Sequence, residues 1–164
     1  MRVGVLSDTH GLLRNEIYGA FEGVDHIVHA GDVGDPAILT ELEVIAPVTA
    51  VTGNVDGWAT GTAMRDEAAI ELAGARLAVV HGHRWGSPKV RDLLAAYPDA
   101  DVIVYGHTHR PLVERHADTL VLNPGSAGPA RFGRAVTAAW LTLEPDRPPQ
   151  AGIVTLLPGR GGAR

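Results

Sequence analysis

The chain of 164 residues contains no cysteine. Disulfides and thiolate metal sites are therefore excluded, and a reducing compartment is permitted. Long hydrophobic runs are missing as well. No stretch approaches the ~20 apolar residues that span a bilayer, and the opening "MRVGVLSDTH" is too weakly apolar for a signal peptide. Nor is there a surplus of positive charge. The net charge of −5 gives no bulk electrostatic reason to expect nucleic acid or an anionic membrane as partner. The reading is of a soluble, cytoplasmic protein. Its length suits one domain, expected over residues 1–157, with the Gly-rich "PGRGGAR" at 158–164 as a mobile tail.

What the chain does have is histidine, eight in a few short stretches. Five apolar runs end alike on a polar residue: "RVGVLS" on Asp8, "HIVHAG" on Asp32, "VTAVTG" on Asn54, "RLAVV" on His81 and "DVIVYG" on His107. The spacings of 24, 22, 27 and 26 residues match a strand, a return element and the next strand. The runs are rich in Val and Ile with little alternation, as in strands buried on both faces.

Between them lie helical patterns. "LLRNEIYGAFEGV" puts Leu12, Leu13, Ile17, Ala20 and Phe21 on one face. "DPAILTELEVI" has Asp35 as N-cap, Pro36 in the first turn and Ile38, Leu39, Leu42 and Ile45 behind; "SPKVRDLLAAY" repeats the arrangement from Ser87 and Pro88. "GWATGTAMRD" at 57–66 has no period and reads as an exposed loop. "EAAIELA" and "RLAVV" read as strands around a turn at Gly74. Beyond residue 110 four further strands follow, "LVERH", "TLVLN", "VTAAWLTLE" and "AGIVTLL".

In an open α/β sheet, ligands bind outside the carboxyl ends of the strands. The five terminal polar residues fall there. His10 and His109 join them, since residues two apart in an extended strand end point to one side. Asp8, His10, Asp32, Asn54, His81, His107 and His109 offer only oxygen and nitrogen donors, more than one ion needs. They suit two divalent transition ions ~3.5–4 Å apart, attractive to a phosphate. Taken singly, each has a plainer role: Asp and Asn as turn formers, His as a satisfied polar residue. Their shared edge is what seven independent turns do not explain. His26 and His29 read as structural, and His116 as a surface strand residue. His83 and Asp56 are candidates for supporting a donor or facing a substrate. Arg110, Arg131 and Arg134 occupy loops after "GHTH" and "NPGS".

The stretches "SDTHG" at 7–11, "GDVGD" at 31–35, "GNVD" at 53–56, "HG" at 81–82 and "GHTH" at 106–109 resemble the calcineurin-like metallophosphoesterases. The small size and "NPGS" at 123–126 look most like that family's compact bacterial and archaeal phosphodiesterase branch. The resemblance implies a four-layer αββα sandwich. It implies one metal on Asp8, His10 and His109, a second on Asn54, His81 and His107, and Asp32 bridging them. Asp32, Asn54 and His81 would then act through the metals and by positioning the phosphate, with a metal-bridging hydroxide as nucleophile. Mn²⁺ stands first, with Ni²⁺, Zn²⁺, Fe²⁺ or Co²⁺ as further choices. The implied function is hydrolysis of a small phosphodiester. Phosphomonoester or nucleotide hydrolysis, or a scaffold like the retromer-coat subunit that shares this fold, are the alternatives. Many superfamily members carry a His after the Asn of "GN". Here that position is Val55, which has no proton for a leaving group.

Overall fold

The computed structural model describes residues 1–59, 62, 64–131 and 133–159. In chain order the strands are β1 (Arg2–Leu6), β2 (His26–His29), β3 (Val48–Ala50), β4 (Glu67–Leu72), β5 (Ala75–Val80), β6 (Val102–Tyr105), β7 (Leu112–His116), β8 (Thr119–Asn123), β9 (Val136–Thr142) and β10 (Gln150–Leu157). The helices are α1 (Glu16–Ala20), α2 (Ala37–Glu43) and α3 (Val90–Ala96).

The strands form two five-stranded sheets, ordered β10-β9-β1-β2-β3 and β4-β5-β6-β8-β7. In the first, β1 to β3 run parallel and β9 and β10 antiparallel; in the second, β5, β6 and β8 run parallel. Residue alternation sets the layers. Val3, Val5, Val28 and Ala30 from the first sheet meet Leu77, Val79, Val102, Val104, Leu120 and Leu122 from the second in a fully packed middle. The opposite face of the first sheet, through Leu6, Ile27 and Ala138, packs on Ile17 and Phe21 beside α1 and on Ile38 and Leu42 of α2. The opposite face of the second, through Val80, Ile103 and Val121, packs on Leu93 of α3. Each fully buried aliphatic or Phe side chain contributes roughly 1.5–3 kcal/mol. The result is helix, sheet, sheet, helix.

Several sequence expectations need revision. The five strands that end in polar residues do not share one open sheet: β1, β2 and β3 lie in one and β5 and β6 in the other. α1 is shorter than its apolar pattern. The chain ahead of it is committed elsewhere: His10 and Gly11 donate their backbone N–H groups to the carbonyls of Asp32 and Val33. Asp35 does receive the Ala37 N–H at 2.9 Å. Ser87 plays no such part, because α3 begins only at Val90, behind an extended Lys89 with no side-chain cap. The "GWATGTAMRD" segment is not simply exposed. Gly57–Ala59 form a 3₁₀ turn, Ala59 is buried, and Trp58 and Met64 pack against the α1/α2 cluster. Residues 60, 61 and 63 of that segment, and 160–164 of the expected tail, lie outside the described residues. Among the described residues no helix is long and apolar enough to cross a membrane.

Candidate metal centre

The site is built where the carboxyl ends of both sheets meet, and it is built by loops in an unusual backbone state. Asp8, His10, Asp32, His107 and His109 all have φ between 48° and 67°. L-residues seldom adopt that left-handed conformation, and such strain persists at sites where the surroundings enforce it. The enforcing contacts are backbone bonds between neighbouring strand ends: Asp8 N–H to Gly31 O (3.0 Å) and His10 N–H to Asp32 O (2.9 Å). Two glycines permit close approach. A Cβ on Gly53 would overlap the Asp32 carboxylate, and one on Gly106 would overlap the Ser7 hydroxyl beside Asp8.

The donors converge as two groups. His109 Nε2 lies 3.0 Å from Asp8 Oδ1 and 3.3 Å from His10 Nε2. His81 Nε2 lies 3.4 Å from Asp32 Oδ2 and 4.0 Å from Asp8 Oδ1. Asp32 Oδ2 is also 3.8 Å from His10 Nε2. The clusters Asp8–His10–His109 and Asp8–Asp32–His81 each have ligand atoms close enough to hold one ion. His107 stands beside the second, its ring centroid 5.2 Å from that of His81, and its backbone N–H donates to Asp8 Oδ2 at 3.1 Å. The two imidazoles of "HTH" thus face different groups, because a left-handed loop rather than an extended strand end carries them.

Asn54 stands apart. It is exposed and lines a separate depression with Thr52, Asp56 and Arg65. Its neighbour Val55 touches the site through the backbone, donating its N–H to Asp32 Oδ1 at 3.0 Å.

The electrostatics suit cations. His81 donates Nδ1–H to Ala30 O at 2.8 Å, which leaves Nε2 as an acceptor aimed at the carboxylates. Asp8 Oδ1 and His81 Nε2 are buried without a hydrogen-bond partner among the described residues. Orphaned buried donors and acceptors are costly, and a shared ion would satisfy both. Burial pushes the Asp32 carboxyl up, but the nearby His81 imidazole, the Val55 N–H and His10 outweigh it and hold it down to about 2. Burial also works to lower His81, yet the carboxylates of Asp32 and Asp8 beside it leave it raised. Desolvation lowers His10, against the pull of Asp32 and Asp8, and lowers His107, with His81 adding to the effect.

Several supporting residues escape sequence reasoning. Ser7 donates to Asp8 Oδ2 at 2.5 Å. Asn123 donates to Gly106 O (2.9 Å) and Thr108 Oγ1 (3.1 Å), clamping the loop that carries His107 and His109. Ser126 donates to Asp8 O at 3.1 Å. The signal was present in "NPGS", without a role attached. Asp56 is 3 % exposed and accepts the N–H groups of Val33, Gly34 and Gly53, tying the loop after Asp32 to the one holding Asn54. His83 sits with its ring 5.4 Å from His81 and its Nδ1 buried without a partner among the described residues. His26 pairs with Thr49 (2.9 Å) and His116 with Glu114 (2.9 Å), while His29 pairs with Thr9 (2.9 Å), between Asp8 and His10.

Residues 1–146 match the calcineurin-like phosphoesterase superfamily domain. The chain belongs to this family. A probable metallophosphoesterase of Methanothermobacter thermautotrophicus is 38 % identical to the calcineurin-like chain over 133 residues, covering 77 % of each. The phosphodiesterase YfcE of Escherichia coli K12 is 31 % identical over 163 residues, covering 81 % of this chain and 86 % of its own. Among solved structures, a single-mutant Vps29 of Entamoeba histolytica superposes with a TM-score of 0.77 at 19 % identity, covering 94 % of this chain and 99 % of its own. That likeness concerns the fold alone. The two mixed five-stranded sheets are the metallophosphoesterase architecture.

Proposed function

We propose that this calcineurin-like protein is a metal-dependent phosphodiesterase that holds two divalent cations. The carrying observation is the pair of donor groups that share Asp8, one fully and one partly buried, with Asp32 Oδ2 between His10 and His81. Asp8, His10 and His109 would hold one ion. His81, His107 and Asn54 would hold the other, Asn54 from its exposed position at the rim. Asp32 would bridge them. The all-N/O donor set suits Mn²⁺ first, and also Ni²⁺, Zn²⁺, Fe²⁺ or Co²⁺. Such ions, when bound, supply a water of lowered pKa and neutralise phosphoryl oxygens.

The chain's own groups prepare that chemistry. Ser7 and the His107 N–H orient Asp8 through Oδ2 and leave Oδ1 bare. The Val55 N–H orients Asp32 through Oδ1 and leaves Oδ2 facing the two histidines. Ala30 O selects the His81 tautomer with a bare Nε2. The Asn54 amide would orient a phosphate oxygen as well. No proton donor occupies position 55, so diesters with good leaving groups are the preferred substrates, with His83 an alternative donor. A small phosphoester and a cytoplasmic setting complete the reading. A scaffold role like that of a coat subunit requires none of these donors.

The test is hydrolysis of bis(p-nitrophenyl) phosphate by chelator-treated protein with and without added Mn²⁺. Turnover restored by metal and absent in Asp32→Asn supports the reading. Absence of metal-dependent turnover in the native chain rules it out.

A further inference from the structure

A cavity of about 710 Å³ opens directly beside the metal centre, with His107 and Thr108 in its wall. Its charged lining is wholly cationic: Lys89, Arg110 and Arg134. A smaller hollow that shares Arg134 is lined by His109 and Arg131 and, among the described residues, also contains no acidic residue. Arg131 is close enough for its charge to help lower the pKa of His10. Cations therefore flank both imidazoles of "GHTH", in a chain where 19 Asp+Glu outnumber 14 Lys+Arg. Among the described residues Lys89, Arg110 and Arg131 form no ion pair, whereas the surface arginines Arg76, Arg84, Arg91 and Arg147 each do.

From this we infer that the cavity receives a second phosphate group carried on the non-reacting arm of the diester, next to the scissile phosphate in the metal centre. The inference rests on the phosphodiesterase reading and names its substrate class: small phosphodiesters that bear a further phosphate. Three converging observations favour an anion over an apolar arm. The cations come from separate segments, after η-turn His83–Trp85, after β6 and before β9. Lys89 and Arg110 are exposed and form no ion pair among the described residues, so their charges remain available to ligand. Among the described residues no carboxylate lines the cavity. Arginine and lysine bind phosphate by charge-assisted hydrogen bonds, stronger than neutral ones. A cavity confined to one side of the centre accommodates one extra group, not a long polyanion.

The experiment compares two diesters that differ only in that group, thymidine 5′-(p-nitrophenyl phosphate) and its 3′-phosphorylated counterpart, at low salt with Mn²⁺. The 3′-phosphate should raise kcat/KM about tenfold, mostly through KM, as expected for charge-assisted contacts of this kind. The advantage should shrink in 0.5 M NaCl and disappear in Lys89→Gln/Arg110→Gln, which changes only exposed side chains and leaves turnover of the 3′-hydroxyl substrate intact. Equal kcat/KM for the two diesters, or an advantage that survives in the double variant, overturns the inference. Calorimetric binding of thymidine 3′,5′-bisphosphate against thymidine 5′-phosphate decides the matter independently of turnover. Tighter binding of the bisphosphate with no hydrolysis of either diester supports the cavity and refutes the activity; equal Kd values refute the cavity.

Discussion

At residue scale the site depends on side chains that hold other side chains. Asp56 is the clearest case. Its two oxygens take three backbone N–H groups, from Val33, Gly34 and Gly53, and an asparagine would present an NH₂ where an acceptor is needed. Asp56→Asn should weaken Mn²⁺ binding about 10–100-fold, the usual cost of losing an outer partner of a metal ligand. Calorimetric titration measures it, and unchanged affinity would show the brace to be dispensable. Val55 poses the opposite case, a position whose backbone contributes while its 42 % exposed side chain does not. Val55→His keeps the N–H to Asp32 and adds a proton donor. It should raise turnover of poor-leaving-group diesters about 10²-fold or more, the low end of general-acid catalysis, and leave p-nitrophenyl diesters nearly unchanged. Parallel assays of alkyl and aryl diesters separate the two outcomes.

The element that couples the site to stability is β2. Its His29 is fully buried, bonded to Thr9 on one nitrogen only, and burial pushes its pKa from the usual 6.5 to about 4, against the opposing pull of Asp8 and Asp56. The folded protein therefore keeps His29 neutral where the unfolded chain takes up a proton. Stability is full above pH 6.5 and falls as pH drops towards 4, with about 3 kcal/mol at stake from this one group at 1.36 kcal/mol per pKa unit. Denaturant unfolding of the metal-free protein between pH 7 and 5 should show this slope. His29→Gln should flatten it, whatever its own stability at pH 7; an unaltered slope would assign the proton uptake elsewhere. The same strand shows why periodicity under-describes elements. His26 and His29 look alike in sequence, yet one pairs at the half-buried start of β2 and the other disappears into the centre.

For the whole molecule, the candidate metal centre joins the two sheets, since Asp8, His10 and Asp32 follow strands of the first and His81, His107 and His109 strands of the second. Ions bound there stabilise only the folded state. At 100-fold excess over Kd they add about 2.7 kcal/mol, or roughly 5–10 °C in Tm for a chain of this size. Calorimetric scans should show Tm rising with Mn²⁺, reversed by EDTA and abolished in Asp8→Asn. A Tm indifferent to metal would mean that these donors do not form a site.

Strand positions, the polar residue closing each and the ordered motifs were legible in the sequence, because a strand's Val/Ile run and its terminal donor are local properties. The calcineurin-like resemblance carried the expected donor set and layer order. The assignment of each strand to one of two sheets, the exposed position of Asn54 and the bracing by Ser7 and Asn123 were decided only in three dimensions. Each of these depends on which backbone lies beside which across 20 or more residues, a matter of sheet pairing and left-handed loop geometry that no local pattern encodes.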